Sequence, residues 1–137
     1  MSNIDDLVEQ KEEQTVIKFK KFYFGRGSAQ ITAEISQELD KVVSTVAQFP
    51  QLQLRIEAHT DSRGGSSTNF RISQSRADAI KKYLQDNGVS TSNILYSVGY
   101  GEDKIINQCT NGVYCLDFLH RQNERHLIVV LNYNLLN

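Results

Sequence analysis

The spacing of apolar positions changes period several times along the chain, and each change marks an element. Leu52-Gln53-Leu54-Arg55-Ile56-Glu57-Ala58 alternates apolar and polar residues, which predicts a half-buried strand. Upstream, Ile31, Ile35, Leu39, Val42, Val43 and Val46 recur at helical spacing. They predict an amphipathic helix from Thr32 or Ala33 to about Gln48, with Glu34 near its start and Pro50 soon after its end. A second helix is expected from a cap at Thr68 or Asn69 to Asn87-Gly88. Ile94 to Tyr100 alternates again, a third strand, whereas Leu127 to Leu131 is apolar at every position, as in a strand that is central or covered on both faces. Thr15 to Phe24, rich in Val, Ile, Phe and Tyr, is expected to be the first strand, with a bulge where its alternation slips near Lys20-Lys21. The order strand, helix, strand, helix, strand, strand predicts an α+β fold, a two-layer sandwich with two main helices on a four-stranded mixed sheet. That domain is expected over residues 15–137, behind a polar leader or linker at 1–14 that has at most a weak helix from Ile4 to Gln10.

Composition narrows the partners. At 137 residues the chain has room for one core. Fifteen Lys and Arg against sixteen Asp and Glu leave a formal charge of −1, so no basic field argues for nucleic acid. No apolar run approaches the roughly 20 residues of a membrane helix, so no membrane insertion by this domain is expected. Met1 to Gln14 lacks the apolar segment of a secretory signal, so a periplasmic domain of this sequence is expected to be an excised or processed piece.

The densest chemistry lies between the second strand and the second helix. His59-Thr60-Asp61-Ser62-Arg63-Gly64-Gly65-Ser66-Ser67-Thr68-Asn69 is a Gly/Ser-rich loop running into a helix start, where small residues let a ligand approach and the first amides lack internal partners. Backbone amides of Ser62 to Gly65 are candidate donors. On a wheel of 100° per residue, Arg76 falls within the apolar stripe of Ile72, Ile80, Tyr83 and Leu84, away from Arg71, Gln74, Lys81, Lys82 and Gln85. A guanidinium there requires a carboxylate partner or a wet, ligand-filled cavity. Two readings stay open: a structural Asp61–Arg76 pair, or a binding site containing both.

Other motifs are weaker. Gly25-Arg26-Gly27-Ser28 follows a strand but lacks the third glycine of a dinucleotide turn. Ser62, His59 and Asp61 are clustered, yet neighbours along an extended chain point apart, against a catalytic triad. Cys109 and Cys115 lie close together in the long segment 101–124 and suit a disulfide worth roughly 2 kcal/mol in an oxidising compartment. Zinc held by Cys109, Cys115, His120 and His126 is the rival, at spacings unlike the usual ones, and free thiols the outcome in a reducing one.

Several motifs, in order, carry a resemblance. Thr60-Asp61-Ser62-x-Gly64, Asn69-x-x-Ile72-Ser73-x-x-Arg76-Ala77, Gly88-Val89, Gly99-Tyr100-Gly101-Glu102 and Asn123-x-Arg125 resemble the OmpA-like peptidoglycan-binding domain, over roughly Val16 to Tyr133. The resemblance implies strand order 1-4-2-3 with the last strand antiparallel to its neighbours. It also implies a periplasmic, non-enzymatic module that holds peptidoglycan noncovalently, Asp61 and the helix arginine gripping diaminopimelate in the stem peptide. Thr60, Asp61, Asn69, Arg76 and Arg125 are the implied contacts, with no catalytic residue, cofactor or metal; a homodimer stays open. Some such domains also carry a Cys-containing insert before the last strand. Two departures stand out: Asn123-Glu124-Arg125 where the family usually has Asn-Arg-Arg, and Ile105 in place of a proline. The first keeps alive an alternative, the same fold serving as a protein-interaction or dimerisation module without a glycan ligand.

Overall fold

A computed structural model describes residues 3–136; Met1, Ser2 and Asn137, the ends of the two expected segments, lie outside the described residues. Among the described residues five strands and three α-helices follow in the order β1 (Val8–Lys11), β2 (Gln14–Ile17), α1 (Ala33–Gln48), β3 (Leu54–His59), α2 (Ser66–Asp86), β4 (Ile94–Gly101), α3 (Asp117–Arg121) and β5 (Arg125–Val130). The sheet order is β1-β2-β5-β3-β4. The expected α+β layering and the order 1-4-2-3 are found in β2-β5-β3-β4, with β5 antiparallel to both neighbours and β3 parallel to β4.

The strand count needs correction. Residues 8–11, expected as part of a solvated leader, pair antiparallel with β2 and add a fifth, edge strand. Ile4 and Val8 bury their side chains in the core. The turn between the two strands places Glu12 and Glu13 in the left-handed region, at φ 50° and 62°, which no Asn-Gly signal announces. The first expected strand also ends early, at Ile17 rather than Phe24. Beyond it the chain leaves the sheet: the Lys20 amide donates to Glu38 of α1 (2.6 Å), and Phe19, Phe22 and Phe24 turn their rings onto the core.

Strand alternation divides the sheet into two faces. Leu54, Ile56 and Ala58 of β3, with Ile128 and Val130 of β5, pack beneath Ile35, Leu39 and Val42 of α1 and Ala77, Ile80 and Leu84 of α2. Arg55, Glu57 and His59 alternate with the first set and lie on the other face, beside Val16, Leu127 and Val129. All six residues of β5 are buried, in accord with a central apolar strand.

Helix α1 has its expected cap, Thr32, whose side chain accepts from the Ile35 amide. Helix α2 starts earlier than expected, after Gly65, and Asn69 is inside it rather than at its cap. It lies almost on the backbone of β4: a Cβ at Gly99 would sit 2.1 Å from the Gln74 nitrogen. Gln74 donates to the Ser97 carbonyl and accepts from the Gly99 amide, and Ser73 accepts from the Gly101 amide. These bonds fix the start of α2, and so the loop before it, against the sheet.

Candidate functional site

The loop between β3 and α2 forms one wall of a cleft of about 540 Å³. Thr60, Asp61, Arg63, Gly64, Asn69 and Arg76 line it from the loop and α2; Phe24, Arg26 and Gly27 from the segment before α1; Asp117, Arg121 and Glu124 from α3 and the residues after it. Four of the five expected contacts, Thr60, Asp61, Asn69 and Arg76, meet here.

Internal hydrogen bonds shape the loop. The Thr60 amide donates to the Gly101 carbonyl, and the Arg63 amide donates to Asp61 Oδ1 (2.8 Å). Gly64 turns the chain at φ 84°, a conformation that favours glycine. Asn69 donates its side-chain amide to the Asp61 and Arg63 carbonyls and to Glu102, so it holds the loop as well as lining the cleft. The Ser62 hydroxyl donates to the Cys109 carbonyl (2.6 Å), which ties the long insert to this loop.

Arg76 is buried, 5% exposed, as its place on the apolar stripe predicts. Its partner is not Asp61. Nε donates to the Ser28 carbonyl at 2.9 Å, Nη2 to the Gly25 carbonyl at 3.2 Å, and the guanidinium lies over the Phe24 ring. Burial pushes its pKa below the ordinary value, partly countered by the charges of Glu124 and Asp61. Asp61 instead receives Arg63, whose Nε and Nη2 both reach Oδ2, while Arg63 Nη1 continues to Asp117 at the start of α3. The structural Asp61–Arg76 pair is therefore absent, and among the described residues the buried guanidinium, which faces the cleft, has two neutral carbonyls as its hydrogen-bond partners.

Arg125 does not join this group. It lies on the opposite sheet face beside His59 and donates a two-pronged bond to Glu12 (2.7 Å for both prongs) as well as bonds to the Asn123 and Lys104 carbonyls. The Glu12 carboxyl is held below its usual range chiefly by that bond. Further along the same face, burial raises Glu57, but hydrogen bonds from His59 and Arg55 outweigh it and hold the carboxyl at about 2. Arg55 also donates to Gln14 of β2.

Glu124, noted in the sequence only as a departure, lines the cleft with a buried Oε2 that has no hydrogen-bond partner. Burial raises its carboxyl above the ordinary range, against the charges of Arg76 and Arg121. No local signal in the sequence marks Arg63, Asp117 and Arg121, which also line the cleft. Cys109 and Cys115 are joined, Cα atoms 6.0 Å apart, so the thiolates of the rival zinc site are consumed. Ser62, His59 and Asp61 do not assemble into a triad: the hydroxyl serves Cys109, His59 is buried against Glu57, and Asp61 holds Arg63. His126 is buried between Phe22 and Phe24 with neither ring nitrogen bonded.

The chain is similar to known proteins in sequence and in fold. The chain is 33% identical over 104 residues to a peptidoglycan-associated lipoprotein of Buchnera aphidicola, covering 74% of this chain and 60% of the relative. It is 37% identical over 87 residues to that of Haemophilus influenzae, covering 64% and 56%. The chain thus spans less than two thirds of the length of these curated relatives. The crystal structure of the peptidoglycan-associated lipoprotein from Burkholderia pseudomallei superposes with a TM-score of 0.68 at 25% identity, over 82% of this chain and 89% of that one. Residues 23–114, which carry α1, the site loop, α2 and β4, match the OmpA family; the chain belongs to that family.

Proposed function

We propose that this domain binds peptidoglycan noncovalently and tethers the protein that carries it to the cell wall, reading the diaminopimelate residue of the stem peptide. The observation that carries the reading is the cleft itself: Arg76, buried and without a carboxylate partner, faces the same cavity as Asp61. The free end of diaminopimelate has an ammonium and a carboxylate on one carbon. Arg76 retains donors beyond those given to Ser28 and Gly25, and a guanidinium matches a carboxylate with two parallel bonds. Asp61 offers the ammonium an acceptor, and Thr60 and Asn69 hold the loop that carries it. The peptidoglycan-associated relatives support the wall as partner, and the joined cysteines suit the oxidising periplasm.

Pull-down with purified sacculi tests binding, and calorimetric titration tests the ligand. Stem peptides carrying diaminopimelate are expected to bind tightly. Those carrying lysine, which keeps the ammonium but lacks the carboxylate, leave Arg76 unmatched and are expected to bind at least tenfold more weakly, on the order of 1 to 3 kcal/mol. Equal affinities would remove Arg76 from its reading role.

A further inference from the structure

Glu124 is the one carboxylate lining the cleft that receives no hydrogen bond among the described residues. Asp61 takes three bonds from Arg63, one on Oδ1 and two on Oδ2, and Asp117 takes the other end of the same guanidinium. Glu124 Oε2 is sealed from solvent and unmatched, although the side chain faces the charges of Arg76 and Arg121. A carboxylate buried this way costs free energy unless a donor reaches it. Neither guanidinium does so: Arg76 is turned to Ser28 and Gly25, and Arg121 lies 4.0 Å over the Tyr23 ring.

We infer that Glu124 is a specificity-determining residue of this cleft that, with Asp61, accepts the hydrogen bonds of the ligand's ammonium group. The inference rests on the diaminopimelate reading and adds to it. An ammonium has three N–H donors, and Asp61, with roughly four lone-pair sites of which three already accept from Arg63, has room for about one more. The remaining donors need a second acceptor, and Glu124, whose side chain lines the same cleft, supplies a carboxylate. The guanidinium of Arg76, facing both Asp61 and Glu124, is then left to the carboxylate of the same amino acid centre. An arginine at position 124 would present donors where this chain presents acceptors, so the charge seen at that side of the cleft is inverted.

The test is a titration cycle with two stem peptides: one with diaminopimelate, and one with 2-aminopimelate, which keeps the distal carboxylate and replaces the ammonium by hydrogen. Wild-type protein is expected to prefer the first by at least tenfold. Glu124→Gln, equal in shape, is expected to lose most of that preference by weakening the diaminopimelate peptide about tenfold, while its affinity for the aminopimelate peptide stays within about twofold of wild type. Its thermal stability is expected to be no lower than wild type, because an unmatched charge has been removed. If Glu124→Gln binds the diaminopimelate peptide as tightly as wild type, Glu124 does not read the ammonium, and the peptidoglycan reading stands without it. If wild type binds neither peptide nor sacculi, the peptidoglycan reading itself fails and takes this inference with it.

Discussion

Two arginines, almost equally buried at 5% and 6% exposed, lie on opposite faces of the sheet and are treated in opposite ways. Arg125 is closed: four bonds engage all three of its nitrogens, two of them on the Glu12 carboxylate. Arg76 is open, with two neutral carbonyls, one aromatic ring and a cavity of about 540 Å³ in front of it. The first matches the usual rule that a buried charge is paired, and the second departs from it. The difference teaches that burial alone does not say how an arginine is satisfied; what distinguishes these two is whether the protein supplies the anion. On the Arg125 face it does, through a hairpin that also brings Gln14 to Arg55. On the Arg76 face the available carboxylates are turned elsewhere or left bare.

The largest expected effect breaks the closed side. Arg125→Ala removes a buried cation and leaves Glu12 without its partner; with Glu12 still a third exposed, the cost falls at the low end for breaking such a pair, roughly 3 kcal/mol in urea unfolding. Sacculus binding below the melting transition is expected to survive. If binding is lost while stability holds, Arg125 belongs to the ligand site after all and the contrast between the two arginines collapses.

Next in size is a pH effect from His126, which follows Arg125 in β5 and feels both arginines. Burial first, and then the charges of Arg76, His59, Lys21 and Arg125, lower its pKa from the ordinary 6.5 to about 3. The unfolded chain therefore takes up a proton below about pH 6.5 that the native state refuses, so stability falls as the pH falls. The slope approaches 1.4 kcal/mol per unit, or about 2 kcal/mol by pH 5. Glu57, held at about 2, adds its own loss only below about 4.5, whereas Glu124, raised by burial, takes up its proton first in the native state and opposes the fall, so melts of Glu124→Gln protein between pH 5 and 6.5 isolate His126. His126→Leu is expected to flatten that slope; an unchanged slope would assign the acid sensitivity to another group.

Arg76→Ala comes third in stability and first in function. It frees the Ser28 and Gly25 carbonyls and removes the contact with Phe24, but it also removes a buried charge, so a net loss of about 1 kcal/mol is expected. Sacculus binding should disappear. A loss comparable with that of Arg125→Ala, with binding kept, would make both arginines structural.

How much of this contrast is legible in the sequence depends on how far each residue's partner lies along the chain. Arg76 betrays itself locally, because four apolar neighbours at helical spacing fix its face and the Gly/Ser loop ahead of it leaves room for a ligand. Arg125 does not: its partner Glu12 is 113 positions away, on a hairpin whose turn residues, Glu12 and Glu13, carry no turn signal, in a stretch whose acidic composition suggests a solvated leader. The same distance hides the fifth strand. Glu124 falls between the two cases. The motif marks it as unusual, yet only the folded chain shows one of its oxygens sealed and unmatched.

The smallest expected effect concerns Arg63, which stands where an arriving ammonium would meet Asp61. Its side chain is 47% exposed, and its second partner, Asp117, is 67% exposed, so the bridge belongs among the surface ion pairs and contributes under about 1 kcal/mol to folding. Arg63→Ala keeps the backbone bond from residue 63 to Asp61 Oδ1, and with it the loop's turn, but strips both side-chain bonds from Oδ2. A diaminopimelate peptide then no longer competes with an internal guanidinium for that oxygen, and its affinity is expected to rise about threefold, near 0.6 kcal/mol, with the gain shrinking as salt screens the competition. Calorimetry at low and high ionic strength measures both numbers. A fall in affinity would mean that Arg63 itself touches the ligand, and the open side of the molecule would then contain a second reading arginine in place of a competitor.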